Sequence, residues 1–487
     1  MAENFGKIRC RIAPSPTGSL HVGTARTALF NYLFARKYNG KFIIRIEDTD
    51  LERSDPKYEK SILEGLKWLD IEADEGPENG GQYGPYKQSG RLRSYVKYIQ
   101  KLFADKKAFY CFHSEEELEK EKNNLLEAKK PPLHLCEYRN LDPKEAKELT
   151  EIKKDYIIRF KTPLGKKIIF NDLIRSEVSF ESDLLGDFSI AKRPDAPLYN
   201  FAVVVDDYEM QITHVIRGED HISNTPKQLL LIEALGFNRP QYAHLPLILG
   251  SDRSKLSKRH GAVSLEEYKE AGYLPEALLN FIALLGWNPG DEREIFSKKE
   301  LIKEFSIEKI QKSGAVFDIN KLDWMNGRYI RQKSTKELTK LCKPFLKNLI
   351  GGQKEQYIEK IVALERPRLK KLSEITRQVE YFFKEPRLEP SFLQWKNMTD
   401  KEIVQSLDTA IELLQENKNK NTKTIKKIFL DMAYRRGDGG TLLWPLRMAL
   451  SGKKASPGPF EIMDILGVEE SIKRLQKAEK TMYAKIK

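Results

Sequence analysis

Two prolines and a glycine in the string PSPTG, residues 14–18, forbid any regular element there and so fix how the start of the chain can fold. Before them, residues 7–13 have the extended character of a strand. After them, residues 24–38 set Ala25, Ala28, Leu29 and Leu33 at helical spacing, and residues 42–46 return as a strand rich in β-branched side chains. Strand, loop, helix and strand within 50 residues make a βαβ unit, the building block of parallel, doubly wound α/β sheets. Ligands of such sheets bind beyond the carboxyl ends of the strands. Both loops at those ends, residues 14–23 and 47–50, are therefore expected to face a ligand.

At roughly 100 to 200 residues per domain, 487 residues should hold about three to five domains. From about residue 85 to 195 the texture changes to charged helices (115–130, 143–151) and short strands (156–161, 167–170, 178–180), the look of an inserted α+β module. The buried pattern then resumes, with strands expected at 201–205 and 211–216, the string RGEDH at 217–221, and a helix at 227–235. After residue 330 strands vanish. Leu338, Leu341, Cys342, Phe345, Leu346 and Leu349 form one helical stripe. Ile403, Val404, Leu407, Ile411 and Leu414 form another behind a capping box from Thr399 to Glu402. The Lys/Asn run at 417–424 reads as an exposed turn between helices.

Hydrophobic residues at 40% and charged residues at 32% describe a soluble globular chain. The longest apolar runs, 201–205 and 281–285, are far shorter than the roughly 18 residues that cross a bilayer. No apolar stretch follows the charged first 11 residues, so no secretion signal is expected and a cytoplasmic location is the default. Cys10, Cys111, Cys136 and Cys342 are scattered, which argues for reduced thiols rather than a disulfide framework. The net charge of +13 is unevenly placed: residues 301–487 carry +14 and residues 1–300 carry −1. Such an excess suits a phosphate-rich partner such as RNA, and equally a solvated basic surface that serves solubility.

In the segment 13–24, backbone N–H groups and a helix N-terminus face whatever lies beyond the sheet, and anions bind at such ends. His21 can donate to a phosphate oxygen there, and Gly23, lacking a side chain, lets a flat base lie against the helix. A lone His-x-Gly is more often a turn histidine beside a capping glycine. Here, however, the full string is RIAPSPTGSLHVG at 11–23, and KLSKR follows at 255–259 in a polar loop behind an apolar stretch at 245–249. The first string resembles the first signature of class I aminoacyl-tRNA synthetases in the form found in bacterial glutamyl-tRNA synthetases. The second resembles their second signature, the lysine loop. Further strings match in the same order: IRIEDTD at 44–50, VVVDD at 203–207, HVIRGEDHISNTP at 214–226, residues 317–330 and PGPF at 457–460. The resemblance thus runs from about residue 7 to about residue 470.

That resemblance implies a Rossmann-type catalytic domain split over residues 1–84 and 196–245. It also implies an inserted α+β acceptor-stem-binding module at 85–195, a lysine-loop and connecting domain at 246–330, and an all-α anticodon-binding domain at 331–487. The implied reaction joins L-glutamate to glutamate tRNA using ATP, which enters with Mg2+, and the implied state is a monomer. Lys258 would meet the phosphates in the transition state, with Lys255 assisting and His21 completing the catalytic set; His21, Gly23, Asp220 and Lys258 would bind ATP. The family's fuller first signature ends in a second His, whereas this chain has Thr24, which is left out of the catalytic set.

Selecting glutamate calls for cations at its side-chain carboxylate and an anion at its ammonium. Arg11 and Arg217 lie where strands meet the expected pocket and can grip a carboxylate bidentately, and Glu47 can take the ammonium. Glutamine in that place would leave a buried arginine unpaired, at a cost of about 3 to 5 kcal/mol. The resemblance adds Ser15 and Tyr199 as contacts. The competing reading of the arginines is a structural ion pair with Glu219 or Asp48.

Cys111-x-His113 and His134-x-Cys136 have the spacing of a structural zinc site. Some relatives of this kind carry one near here as Cys-x-Cys followed by Cys-x-His or a tyrosine variant; this chain departs from that pattern at His113, and Tyr138 occupies the later slot. The weightier alternative is two cysteines packed as small apolar residues. The string RPR at 366–368 matches a segment that reads the anticodon, pointing to Arg368 first and Arg366 beside it. A glutaminyl enzyme is disfavoured by the helical C-terminal part. A tRNA-binding paralogue without activity has no use for His21, Gly23, Lys255 and Lys258 together, and a small nucleotidyltransferase leaves the basic C-terminal part unexplained.

Overall fold

The computed structural model describes the chain apart from residues 1–6, 51, 131–132, 135, 154, 258–263 and 487. It divides into two units, Met1–Lys269 with Pro275–Leu322, and Glu270–Leu274 with Asp323–Lys487. The first unit opens with β1 (Arg9–Ile12), α1 (Val22–Lys37) and β2 (Lys41–Ile44), the expected βαβ unit. β1 and β2 pair in parallel, Arg9 opposite Lys41 through Ile12 opposite Ile44. The turn into β2 requires glycine, because a Cβ on Gly40 would lie 2.5 Å from the Ile8 carbonyl oxygen. α1 is buried around most of its circumference. Its buried Asn31 donates to the carbonyl of Ile216 at 2.9 Å, which ties helix to sheet.

The chain continues through α2 (Pro56–Trp68), α3 (Leu92–Ala104), β3 (Ala108–Cys111), α4 (Glu115–Glu127), α5 (Pro143–Lys153) and β4 (Ile157–Phe160). Next come β5 (Lys167–Asp172), β6 (Ser176–Glu181), β7 (Ser189–Arg193), β8 (Ala196–Pro197) and α6 (Tyr199–Glu209). β9 (His214–Gly218), α7 (Thr225–Leu235) and β10 (Gln241–Leu245) follow. The main sheet has the order β2-β1-β9-β10-β5-β6, parallel throughout except for β6, which runs antiparallel to β5. A second, antiparallel sheet has the order β3-β4-β7-β8. β11 (Ile248–Leu249), α8 (Leu265–Glu270), α9 (Pro275–Ala283), α10 (Lys298–Glu304) and β12 (Ala315–Val316) close the unit's chain, with β11 and β12 paired in parallel.

Two expectations change here. Residues 85–195 do not form one separate module: β5 pairs with β10 and, with β6, extends the main sheet, while the second sheet keeps β3, β4, β7 and β8. Alternation in β5, buried at every second residue, reports one covered face but not which sheet the strand joins. Residues 201–205, expected as a strand, lie in helix α6, where all five are buried. A short apolar run has no period that separates a buried strand from a buried helix, and packing of α6 against α3 and α7 overrides the β preference of three consecutive valines.

Among its described residues the second unit is helical: α11 (Ile319–Gln332), which carries the chain in from the first unit, α12 (Thr335–Leu346), α13 (Glu355–Glu365), α14 (Glu374–Val379) and α15 (Asp400–Glu416). α16 (Thr422–Arg435), α17 (Gly440–Ser451), α18 (Pro459–Leu466) and α19 (Val468–Ile486) complete it. The division between the units falls at Leu322, inside α11, whereas the sequence placed the boundary after residue 330, where strands vanish. The Thr399–Glu402 capping box forms, and Ile403, Val404, Leu407, Ile411 and Leu414 are buried as the stripe requires. All four cysteines are free and buried. No described helix is long and apolar enough to cross a membrane.

Candidate active site

A cavity of about 1150 Å³ lies at the carboxyl ends of β1 and β9, where the order of the parallel sheet reverses. His21, Gly23, Glu47, Tyr199, Arg217 and Asp220 line it, as do Arg11, Ser15 and Lys255. Nine of the expected site residues are therefore brought together in one place.

His21 is the N-cap of α1, and its Nδ1 accepts the backbone N–H of Gly23 at 3.0 Å. A ring nitrogen that accepts carries no proton, so in the neutral ring the proton sits on Nε2. Burial, and then the nearby Lys255 charge, hold the His21 pKa below its ordinary value. A Cβ on Gly23 would meet only the His21 ring, at 3.4 and 4.0 Å, so the helix end is open toward the cavity. Gly250 donates to the carbonyl of Ser254 at 2.8 Å to turn the chain, and Lys255 Nζ then pairs with Asp220 Oδ2 at 3.3 Å. Lys258 lies outside the described residues. Beyond them Ser264 bridges to His21, and Leu265 donates to the carbonyl of Leu20 at 3.0 Å. Both flanks of the lysine strip thus sit beside the helix end that His21 caps.

The arginines divide by partner. Arg11 donates to both Asp207 oxygens at 3.1 Å, so its ion-pair partner is neither Glu219 nor Asp48. Glu219 instead pairs with Arg175 and accepts the N–H of Leu247, and Asp48 accepts from Ser89. Arg45, fully buried, donates to Asp207 at 2.7 Å and to Glu47 at 3.0 Å. Burial raises the Glu47 pKa, opposed by Arg45 and Arg11. Arg217 binds no carboxylate among the described residues. Its Nε donates to His244 Nε2 at 3.2 Å and its Nη2 to Thr225 Oγ1 at 2.8 Å, while its Nη1 is buried without a partner. Tyr199 Oη lies 3.0 Å from His221 Nδ1, and burial with the Arg217 charge pushes His221 down to about 4. Ser15 is exposed at the cavity lip.

Elsewhere in the first unit, the ligand atoms of Cys111, His113, His134 and Cys136 all lie within 4.8 Å of one another. In the second unit, Arg366 Nη1 donates to the carbonyl of Lys333 at 3.2 Å, and Arg368 Nε pairs with the buried Glu365 at 3.3 Å. Arg368 lies close enough to Arg447 to lower its pKa, after burial, and Arg447 stacks on Trp444 at 4.6 Å.

The profile described as tRNA synthetases class I (E and Q), catalytic domain, matches residues 7–324, and one described as an anticodon binding domain matches residues 337–479. This chain is a class I aminoacyl-tRNA synthetase of that E and Q family. The synthetase is 47% identical to the glutamate–tRNA ligase of Carboxydothermus hydrogenoformans over 477 residues, covering 96% of this chain and 99% of the relative. It is 45% identical to that of Desulforamulus reducens, covering 97% and 100%. Among solved structures, a glutamate tRNA ligase from Elizabethkingia meningosepticum, in complex with its amino acid, superposes with a TM-score of 0.89 at 36% identity, covering 98% and 100%.

Sequence reasoning missed three residues of the synthetase's pocket and its walls. Asp207 was visible only as part of VVVDD. As neighbours on a helix, Asp206 turns to Arg91 and Tyr95 while Asp207 turns to Arg11 and Arg45. Arg26, on the buried side of α1, donates to the carbonyls of Leu285, at 3.3 Å, and Pro246. Burial lowers its pKa to about 10. His244 gave no signal beyond a polar residue in an apolar strand.

Proposed function

We propose that this chain is a glutamate–tRNA ligase that activates L-glutamate with Mg2+-bound ATP to glutamyl-adenylate and passes the glutamyl group to the 3'-terminal adenosine of glutamate tRNA. The observation that carries the reading is one cavity lined at once by His21, Lys255 and an arginine, Arg217, that has no carboxylate partner among the described residues. Arg217 and Arg11 hold the side-chain carboxylate and Glu47 the ammonium, so the α-carboxylate is left to attack the α-phosphate of ATP. Pyrophosphate leaves as the P–O bond breaks. The chain's work is positioning and charge stabilisation: Nε2–H of His21 donates to phosphate oxygen, and Lys258 with Lys255 meets the charge that grows on the phosphates. In the second step the terminal ribose hydroxyl attacks the activated carbonyl and AMP departs. Asp220, Gly23, Ser15 and Tyr199 complete the substrate contacts. ATP–pyrophosphate exchange with glutamate tests this, with tRNA expected to be required; no exchange either with or without tRNA overturns it.

The Cys/His cluster fits a structural zinc. Tetrahedral Zn–S and Zn–N bonds place sulfur and nitrogen ligands roughly 3.6 Å apart. Here Cys111 Sγ lies 3.5 Å from His113 Nδ1 and 3.6 Å from His134 Nε2, and Cys136 Sγ lies 3.7 Å from His113 Nδ1. Glu121 holds the second nitrogen of His134, as a partner that orients a ligand does. Zinc at these four residues would tie the end of β3 to the segment around Cys136. Metal analysis after dialysis tests it: about one equivalent is expected, and less than about a tenth ends the idea.

The second unit reads the anticodon, with Arg368 and Arg366 on its basic surface. The ligase works in the cytoplasm as a monomer. Arg368→Ala should raise KM for tRNA while leaving KM for ATP unchanged.

A further inference from the structure

Arg217 has five N–H donors, and those that are engaged meet only neutral acceptors: His244 Nε2 at 3.2 Å, Thr225 Oγ1 at 2.8 Å and the carbonyl of His221 at 3.4 Å. Its neighbour in the pocket differs. Arg11 is already compensated by both oxygens of Asp207. The carboxylate nearest in sequence to Arg217, Glu219, is turned away to Arg175 and the N–H of Leu247. Arg217 therefore brings a buried charge whose counter-ion is not supplied by any described residue, and an Nη1 with no acceptor.

His244 sits directly opposite Arg217 in the β9–β10 register and is completely buried. Its Nδ1 lies 2.7 Å from Asp172 Oδ2. Asp172, at the end of β5, also accepts the N–H groups of Ile174 at 2.9 Å and Arg175 at 2.8 Å. These bonds and His244 outweigh burial and keep its carboxyl below the usual range. An ionised carboxylate can only accept, so the His244 proton resides on Nδ1. Nε2 is left with its lone pair toward Arg217 Nε, which can only donate, and Thr225 Oγ1, itself a partner of Arg217, lies 3.1 Å from the same nitrogen.

We infer that His244, locked in this tautomer by Asp172, is a positioning residue that aims Arg217 without neutralising it, so that its charge is reserved for the side-chain carboxylate of the amino-acid substrate. The inference rests on the glutamate reading above. A carboxylate at position 244 would aim the guanidinium equally well but satisfy its charge, and glutamate would then gain little over glutamine. A neutral acceptor keeps the distinction, and Asp172 fixes the tautomer from one residue further away, so its own charge does not touch the guanidinium.

The test uses the full chain and tRNA-dependent ATP–pyrophosphate exchange. H244F removes the acceptor while roughly keeping ring shape, and H244Q returns an oxygen near the place of Nε2. H244F should raise KM for glutamate about tenfold or more, the size of losing a hydrogen bond to a charged group, with KM for ATP within about threefold of wild type. H244Q should bring KM for glutamate back to within about threefold. A parallel rise in both KM values, an H244Q as impaired as H244F, or no change in H244F overturns the inference. If H244F does not accumulate as folded protein, D172N carries the test: it frees the ring to present N–H to Arg217, and an unchanged KM for glutamate overturns the inference. Wild-type protein without glutamate-dependent exchange would sink the glutamate reading itself, and this inference with it. An active wild type with an indifferent H244F sinks only the inference.

Discussion

Replacing His21 separates two roles that its ring holds at once. Nδ1 caps α1 through the 3.0 Å bond from Gly23, and Nε2–H, on the cavity side, is the donor we propose for a phosphate oxygen. His21→Ala removes both. Loss of a cap costs about 0.5 to 2 kcal/mol of stability, and loss of one preorganised donor to a developing oxyanion costs about 10² to 10³ in kcat. Asparagine ranks among the best caps, but its amide is too short to reach the place of Nε2. His21→Asn should therefore melt within a degree or two of wild type yet lose about 10² to 10³ in tRNA-dependent exchange. Because the folded His21 pKa lies below 6.5, the unfolded chain takes up its proton first as pH falls. Its contribution to stability is full above pH 6.5 and is lost below it, so wild type should lose stability relative to His21→Asn between pH 7 and 5. Melting followed by circular dichroism and exchange assayed on the same samples give both readings. An H21N protein that exchanges within about threefold of wild type refutes the donor role and leaves His21 as a cap alone.

Three other expectations follow from the same pocket. Asp207→Asn strips the carboxylate from buried Arg11 and one of those that buried Arg45 pairs with, and should destabilise the first unit by about 3 to 5 kcal/mol, read as a drop in the urea midpoint for loss of activity; a change below about 1 kcal/mol would contradict the pairing. Among the described residues Asp220→Ala breaks an exposed pair with Lys255, so the melting temperature should hold while KM for ATP rises; a large fall in melting temperature with no effect on ATP would reverse the assignment. Glu47 must be ionised to hold an ammonium, and burial lifts its pKa above the ordinary 4.5. KM for glutamate should therefore climb as pH falls toward that raised value, before ordinary carboxylates titrate. A KM that stays flat down to the pH at which ordinary carboxylates titrate would argue that the ammonium is held elsewhere.

The βαβ opening, the helical C-terminal part and the motif loops were legible because each depends on local rules: proline and glycine stop regular structure, apolar spacing reports a helix, and a Thr-x-x-Glu box marks where one begins. Which strands share a sheet was not legible. Residues 167–181 looked like part of an insertion, yet they complete the main sheet, because alternation shows a covered face and not the partner that covers it. Residues 201–205 failed for a related reason, since a run of valines looks the same whether a strand or a helix buries it.

The site divides in the same way. Chemistry-bearing residues in the strings at 11–23, 44–50, 214–226 and 255–259 could be named from the sequence alone, because residue type and loop position already state which charges and donors are available. Only the tertiary structure decided how those charges are used. It gives Arg11 to Asp207 and leaves Arg217 without a carboxylate among the described residues, facing a histidine whose tautomer is set by an aspartate 72 positions away in the chain. An arginine's charge is fixed by its identity, but whether that charge is spent inside the protein or kept for a ligand depends on which acceptors the fold brings within hydrogen-bonding reach.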